Sequence, residues 1–178
     1  MTRSFPAAPW PTALKVVSAL GVVLLLGTFY AAARAIPPSG FAHTFGTGVA
    51  CVPPAILIVA LLFIVRGYEV GPSRLSIQRL LWRTDLPLLD VKEVGHLPDA
   101  MKCSIRVFGN GGLFSITGVY RNKKIGRYRA FVTDPRSCVV LVQTTGALVV
   151  SPENPSTFVQ AVRVFHPKAK ASGEESAQ

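Results

Sequence analysis

Five cations fall within nine residues: Arg121, Lys123, Lys124, Arg127 and Arg129. Guanidinium and ammonium groups at that density suit phosphate or carboxylate oxygens, which they hold by charge-assisted hydrogen bonds. The chemistry implied is recognition of an anion. Just upstream, Gly109-Asn110-Gly111-Gly112 has the composition of a phosphate cradle. That use needs a following helix or a nucleotide motif such as GxxxxGK[ST]. The segment that follows, LFSITGVY, is strand-like instead. The glycines therefore read as a hairpin turn, because both central residues of an Asn-Gly turn tolerate positive φ. Catalytic chemistry has no comparable nucleus. Asp85, Asp90, His96, Asp99, Cys103 and Ser151 form no spacing for a triad, a metal site or paired carboxylates. The expectation is a non-catalytic protein without a cofactor.

Cys51, Cys103 and Cys138 are an odd set at wide spacing, with no C-x-x-C and no Cys/His cluster. Neither a zinc site nor a disulfide framework is signalled, and the three read as small buried hydrophobes in a reducing compartment.

The elements that must position the cations come next. Tyr68-Glu69-Val70 is a short strand ending in the turn Gly71-Pro72-Ser73, and LSIQRLLWRTDL begins with apolar/polar alternation. LPLLDVKEVGHL and SIRVFG continue as strands. The basic run is the turn of a hairpin whose second strand, RYRAFVTD, alternates Tyr128, Ala130 and Val132 against Arg127, Arg129 and Phe131. CVVLVQT is nearly continuous in apolar residues and so central, with ALVVS as its partner. Asn154 is placed to cap a helix with Pro155 at its first position, and Phe158, Val162 and Phe165 make one apolar face. Roughly seven strands followed by one amphipathic helix predict an open-ended antiparallel barrel plugged by that helix.

The N-terminal third is different material. All nine acidic residues and sixteen of the nineteen Lys/Arg lie at or after Arg66. Before it, ALKVVSALGVVLLLGTFYAAA and FGTGVACVPPAILIVALLFIV carry one charge between them, Lys15. Each run has the length of a membrane span, about 20 residues. Pro53-Pro54 is expected to kink the second. The organisation read from this is a disordered lead over 1–12 and a transmembrane hairpin over 13–66, with spans at about 13–35 and 45–65. A folded domain over 67–166 and a disordered tail over 167–178 complete it. A cleaved signal peptide at Ala33-Arg34-Ala35 is the rival for the first span. Arg3 and Lys15 precede the first span, and Arg66, Arg74, Arg79 and Arg83 follow the second. The positive-inside rule then puts both termini in the cytoplasm of a cell-membrane protein with two spans.

The net charge of +10 fits attraction to an anionic leaflet. Because the membrane accounts for it, nucleic acid is set aside as a partner. No feature specifies an oligomer.

The residues of the folded part resemble the bacterial pleckstrin-homology-like (PH-like) domains, in particular a subfamily attached to two transmembrane helices. The resemblance is carried by Tyr68-Glu69-Val70 before Leu75-Ser76-Ile77, Leu86-Pro87-Leu88 with Asp90-Val91, and Gly109 to Phe114. It continues through Gly118 to Asn122, Gly126-Arg127-Tyr128, Ala130 to Asp134, and Ser151-Pro152 before Phe158. It covers about 68 to 165 and implies a mostly antiparallel, α+β PH-like barrel capped by a C-terminal helix. It implies no catalytic residues. The functional expectation is a membrane-anchored module binding a protein partner or anionic lipid at the cytoplasmic face, through Arg121, Lys123, Lys124, Arg127 and Arg129. The alternative is a subunit of a membrane transport or sensor complex.

Overall fold

The two apolar runs carry a single charge, Lys15, near the start of the first, and both become helical in the computed structural model, which describes residues 2–171. The first is α1 (Thr12–Arg34). The second is two helices, α2 (Phe41–Ala50) and α3 (Val52–Leu62), with a break at Cys51. Pro53 and Pro54 sit in the first turn of α3, where their missing N–H groups cost no intrahelical bond. The expected kink is therefore a break, and helix begins four residues earlier than position 45. Both α1 and the stretch Phe41–Leu62 are long and apolar enough to cross a membrane. Their outward residues stay uncovered, Val23 and Leu24 at 68% and 64% exposure.

The rest of the chain is mostly strand. In order it forms β1 (Arg3–Pro6), then, after the helices, β2 (Gly67–Val70), β3 (Arg74–Gln78), β4 (Arg83–Pro87), β5 (Val91–His96) and β6 (Ile105–Gly111). There follow β7 (Ile116–Asn122), β8 (Gly126–Val132), β9 (Val139–Gln143), β10 (Gly146–Val150), helix α4 (Pro155–Phe165) and β11 (Lys170–Ala171). They assemble into two sheets, β1-β2-β3-β4 and β11-β5-β9-β10-β8-β7-β6. Pairing is antiparallel except for β8 with β10 and β5 with β11. Nine strands, not seven, lie between Gly67 and Val150.

One apolar core lies between the sheets. Tyr68, Val70, Leu75 and Ile77 of the first meet Phe131, Val139, Leu141 and Val150 of the second, with Phe158 and Val162 of α4 among them. A second core, with Tyr120, Tyr128, Ala130, Val132 and Val149, fills the opposite face of the larger sheet against Ala100. The alternation read in RYRAFVTD is what sends Phe131 to one core and Tyr128 and Ala130 to the other. β9 is central, as its apolar run implies.

Three expectations are corrected. The barrel is not closed: the chain leaves the first sheet at Asp90, whose φ of 50° turns it away, and β5 pairs with β9 rather than with β4. The lead is ordered over Arg3–Pro6, which pairs antiparallel with Gly67–Val70. The tail forms β11 against Glu93 and Val94, while residues 172–178 lie outside the described residues. Asn154 does hold the N-cap position, but its side chain makes no capping bond, and the fixed φ of Pro155 starts the helix.

A buried polar hub joins these parts. The Ser151 hydroxyl accepts from the Thr133 N–H at 2.7 Å and the Asp134 N–H at 3.3 Å. The Tyr68 hydroxyl donates to the Phe131 carbonyl at 2.7 Å and accepts from the Ser151 N–H at 3.1 Å. Burial raises the Tyr68 pKa and keeps the hydroxyl neutral. Ser151 is thus spent on structure, fully buried. The cysteines split by environment: Cys138 is buried, Cys51 and Cys103 are exposed, and all three are free thiols.

Candidate functional site

The β7–β8 hairpin is built to hold its turn still. Asn122 Oδ1 accepts from the Lys124 and Ile125 N–H groups at 3.1 and 2.8 Å. Its Nδ2 donates to the Ala100 carbonyl at 2.7 Å and to Ser104 Oγ at 3.0 Å. Tyr128 donates to the same Ser104 hydroxyl at 2.6 Å. This clamps the turn onto the segment before β6 and leaves Lys123 and Lys124 exposed. Arg121 and Arg127 are exposed and directly opposite each other in the ladder. Like charges in that position destabilise a hairpin. Among the described residues no carboxylate forms an ion pair with any of the five cations; the three ion pairs formed are Arg74–Asp85, Arg83–Glu69 and Arg136–Asp134.

The structure does not bring all five together. β7 starts beside the helices, where Ser115 donates to the Phe63 carbonyl at 3.3 Å. It runs seven residues to the basic turn, about 3.3 Å per residue. Lys123 and Lys124 therefore sit at the far end of the domain from the α3 terminus. Arg129 belongs elsewhere. It points to the opposite face of β8 from Tyr128, with its guanidinium carbon 5.6 Å from the centre of the Phe131 ring.

Arg129 lines a cleft of about 820 Å³ between α3 and the β6–β7 hairpin. Arg79 and Arg106 line it too. Arg79, only 7% exposed, donates from Nε to Thr84 Oγ1 at 2.9 Å and from Nη1 to the Phe63 carbonyl at 2.6 Å. It thereby satisfies a carbonyl at the C-terminus of α3. Its guanidinium carbon lies 4.9 Å from the Phe63 ring centre and 5.5 Å from that of Phe131. Phe131 is thus flanked by two guanidiniums. Burial lowers the Arg79 pKa, and the nearby Arg129 charge lowers it further. Sequence reasoning used Arg79 only as a topological charge and passed over Arg106. The signal available was an arginine set into an apolar turn, Leu80-Leu81-Trp82, with no acid beside it.

The β6–β7 hairpin also meets α1. The Ser18 hydroxyl of α1 accepts from the Phe114 N–H at 2.9 Å and donates to the Gly112 carbonyl at 3.3 Å. Trp10 packs on Phe114, ring centres 6.0 Å apart. Gly109 and Gly118 face each other in the ladder with φ of 117° and 143°, and a Cβ on either would collide with the other strand's backbone. The turn expected at Gly109–Gly112 lies slightly later, at Gly112–Ser115, with Asn110 Oδ1 accepting from the Leu113 N–H at 3.1 Å. It holds no helix N-terminus.

The residues weighed for catalysis stay apart. Asp85 faces Arg74 at 4.0 Å, His96 is exposed on β5, and Ser151 is enclosed in the hub. Among the described residues no three His, Cys, Asp or Glu side chains gather as metal ligands.

A family model described as bacterial PH domain matches residues 66–165. No curated protein and no solved structure matches the chain.

Proposed function

The chain belongs to the bacterial PH domain family, and from that premise we propose that it is a membrane-anchored, non-catalytic module at the cytoplasmic face that offers its basic hairpin turn to an acidic partner protein. PH domains are generally non-catalytic binding modules. The observation that carries the reading is the uncompensated charge of a rigid turn. Arg121 and Arg127 oppose each other across the ladder, Lys123 and Lys124 flank them, and Asn122 fixes the loop by four hydrogen bonds. Like charges directly opposite in a ladder repel each other, and no ion pair relieves that repulsion among the described residues. An anionic surface docked there turns that repulsion into attraction.

Two further features support the anchored part. β2 begins five residues after α3 ends, so no linker separates domain from span. The Ser18 bonds to Gly112 and Phe114 fasten the domain to α1 as well. A domain held this close meets membrane-protein partners at high effective concentration. The turn, at the opposite end of β7 from the helices, faces a partner more readily than the bilayer on which the domain stands.

The test is recovery of partners with the full-length chain in mild detergent. Wild type should retain a defined membrane protein that Lys123→Glu/Lys124→Glu loses, with the same melting temperature for both. If the variant retains the same partners, the turn is not the docking surface.

A further inference from the structure

The cleft between α3 and the β6–β7 hairpin has a chemistry of its own. One wall is Val52, Ile56 and Val59 of α3, residues of a helix apolar enough to span a membrane. All three are about half exposed. The opposite wall includes Phe108, 77% exposed, and Leu113. The polar groups gather at one end: Arg79 is bonded to the Phe63 carbonyl where α3 stops, and Arg129 flanks Phe131 beside it. Arg106 lines the rim only, its guanidinium lying over Gly111 beside Tyr120, and no carboxylate lines the cleft.

Capping of α3 accounts for part of Arg79. It engages Nε and Nη1, and among the described residues no hydrogen bond engages Nη2. It does not account for Arg106 or Arg129, which are exposed and form no ion pair among the described residues. A buried guanidinium such as Arg79, without a counter-charge, is costly unless an anion completes it. Planar forks suit phosphate oxygens. The cleft's volume is that of ordinary ligand pockets, about 300–1,000 Å³. Charge at the level of the α3 terminus, with an apolar wall rising along the span, has the polarity of one leaflet lipid standing upright.

We propose that this cleft holds one anionic phospholipid of the leaflet beside the domain, its phosphate on Arg79 and Arg129 and an acyl chain along Val52, Ile56 and Val59. The site is distinct from the basic turn and does not depend on what the turn binds. The glycine pair Gly109–Gly118 lies in the cleft wall and leaves that strip free of side chains, between Phe108 and Val119. The bound lipid would wedge the domain against α3 and set its tilt over the membrane.

Trp82 supplies the readout, since its ring meets Phe63 edge-on at 5.2 Å, next to Arg79. The chain has two tryptophans, so Trp10→Phe leaves Trp82 as the single emitter. Full-length protein in nanodiscs of phosphatidylcholine receives chain-brominated phosphatidylglycerol or chain-brominated phosphatidylcholine at equal low mole fraction. The expected result is quenching of Trp82 by the anionic lipid at about tenfold lower mole fraction, as attraction of an anionic headgroup to two arginines implies. Arg106→Gln, whose guanidinium lies over Gly111 and away from the phosphate position, should leave that preference intact. Arg129→Gln alone, an exposed position that cannot unfold the core, should reduce it. Lys123→Glu/Lys124→Glu should leave it intact. Equal quenching by both lipids overturns the proposal. So does a preference undiminished by Arg129→Gln, or one that Lys123→Glu/Lys124→Glu removes.

Discussion

Replacing Ser18 with alanine isolates the joint between span and domain. The hydroxyl makes two bonds to the β6–β7 hairpin, from the Phe114 N–H at 2.9 Å and to the Gly112 carbonyl at 3.3 Å. Ser18 is 3% and Phe114 8% exposed, so water does not replace either bond. Alanine keeps the Cβ and the helix and removes only the oxygen. A buried donor left unpaired costs about 1–3 kcal/mol. Taking about 2 kcal/mol, the equilibrium between docked and undocked hairpin moves roughly 30-fold. The core residues Tyr68, Leu141 and Phe158 touch none of these atoms, so the effect stays local. Hydrogen exchange of the full-length chain in mild detergent reads it directly. The Phe114 amide and its neighbours should exchange roughly 30-fold faster in Ser18→Ala, while amides of β9 and β10 keep wild-type protection. Unchanged protection at Phe114 would refute the claim that the hydroxyl fastens the domain. A uniform loss across β9 and β10 would refute the claim that the joint opens independently of the core.

Two other substitutions or labels probe the remaining geometry. Gly118→Ala puts a Cβ against the Phe108 backbone at a φ of 143° and should cost on the order of 3 kcal/mol, seen as a lower melting temperature; wild-type melting would contradict the close strand approach. Burial, reinforced by Asp134, pushes the Cys138 thiol up to about 12, so at pH 8 it stays protonated and unreactive, whereas exposed Cys103 should take maleimide. With a membrane-impermeant reagent Cys103 should react in opened cells and stay unlabelled in intact ones. Labelling in intact cells would place the domain on the other side of the membrane.

Much of this organisation is legible in residue order because it is local. The basic hairpin follows from alternation on both sides of a polar turn. α4 follows from Pro155 and the spacing of Phe158 and Val162, and the spans from unbroken apolar length. What is not legible joins residues far apart in the chain. β1 is Arg-Ser-Phe-Pro, with a proline and no alternation, and it becomes a strand only because Gly67–Val70 presents a free edge. Arg79 and Arg129 are fifty positions apart and meet over Phe131 only when two sheets pack. Ser18 reads as a small residue in an apolar helix, and its partner hairpin lies 94 and 96 positions away. The barrel expectation failed for the same reason: local alternation predicts strands but not which edges find each other.

The pairing of β1 with β2 has a consequence for how the chain is made. Arg3 faces Val70 and Pro6 faces Gly67, so everything from residue 7 to residue 66 is, in ladder terms, the loop of one β-hairpin. β1 is synthesised before α1 to α3, and its partner β2 only after them. Where the helices cross a bilayer, β1 and β2 can meet only if an even number of crossings lies between them. A chain stalled with one helix inserted, or clipped after Ala33, has no β1 at the edge of its sheet. If both helices cross a bilayer, the β1–β2 ladder closes only after both have been inserted, so an unpaired β1 would mark a chain with one helix left out.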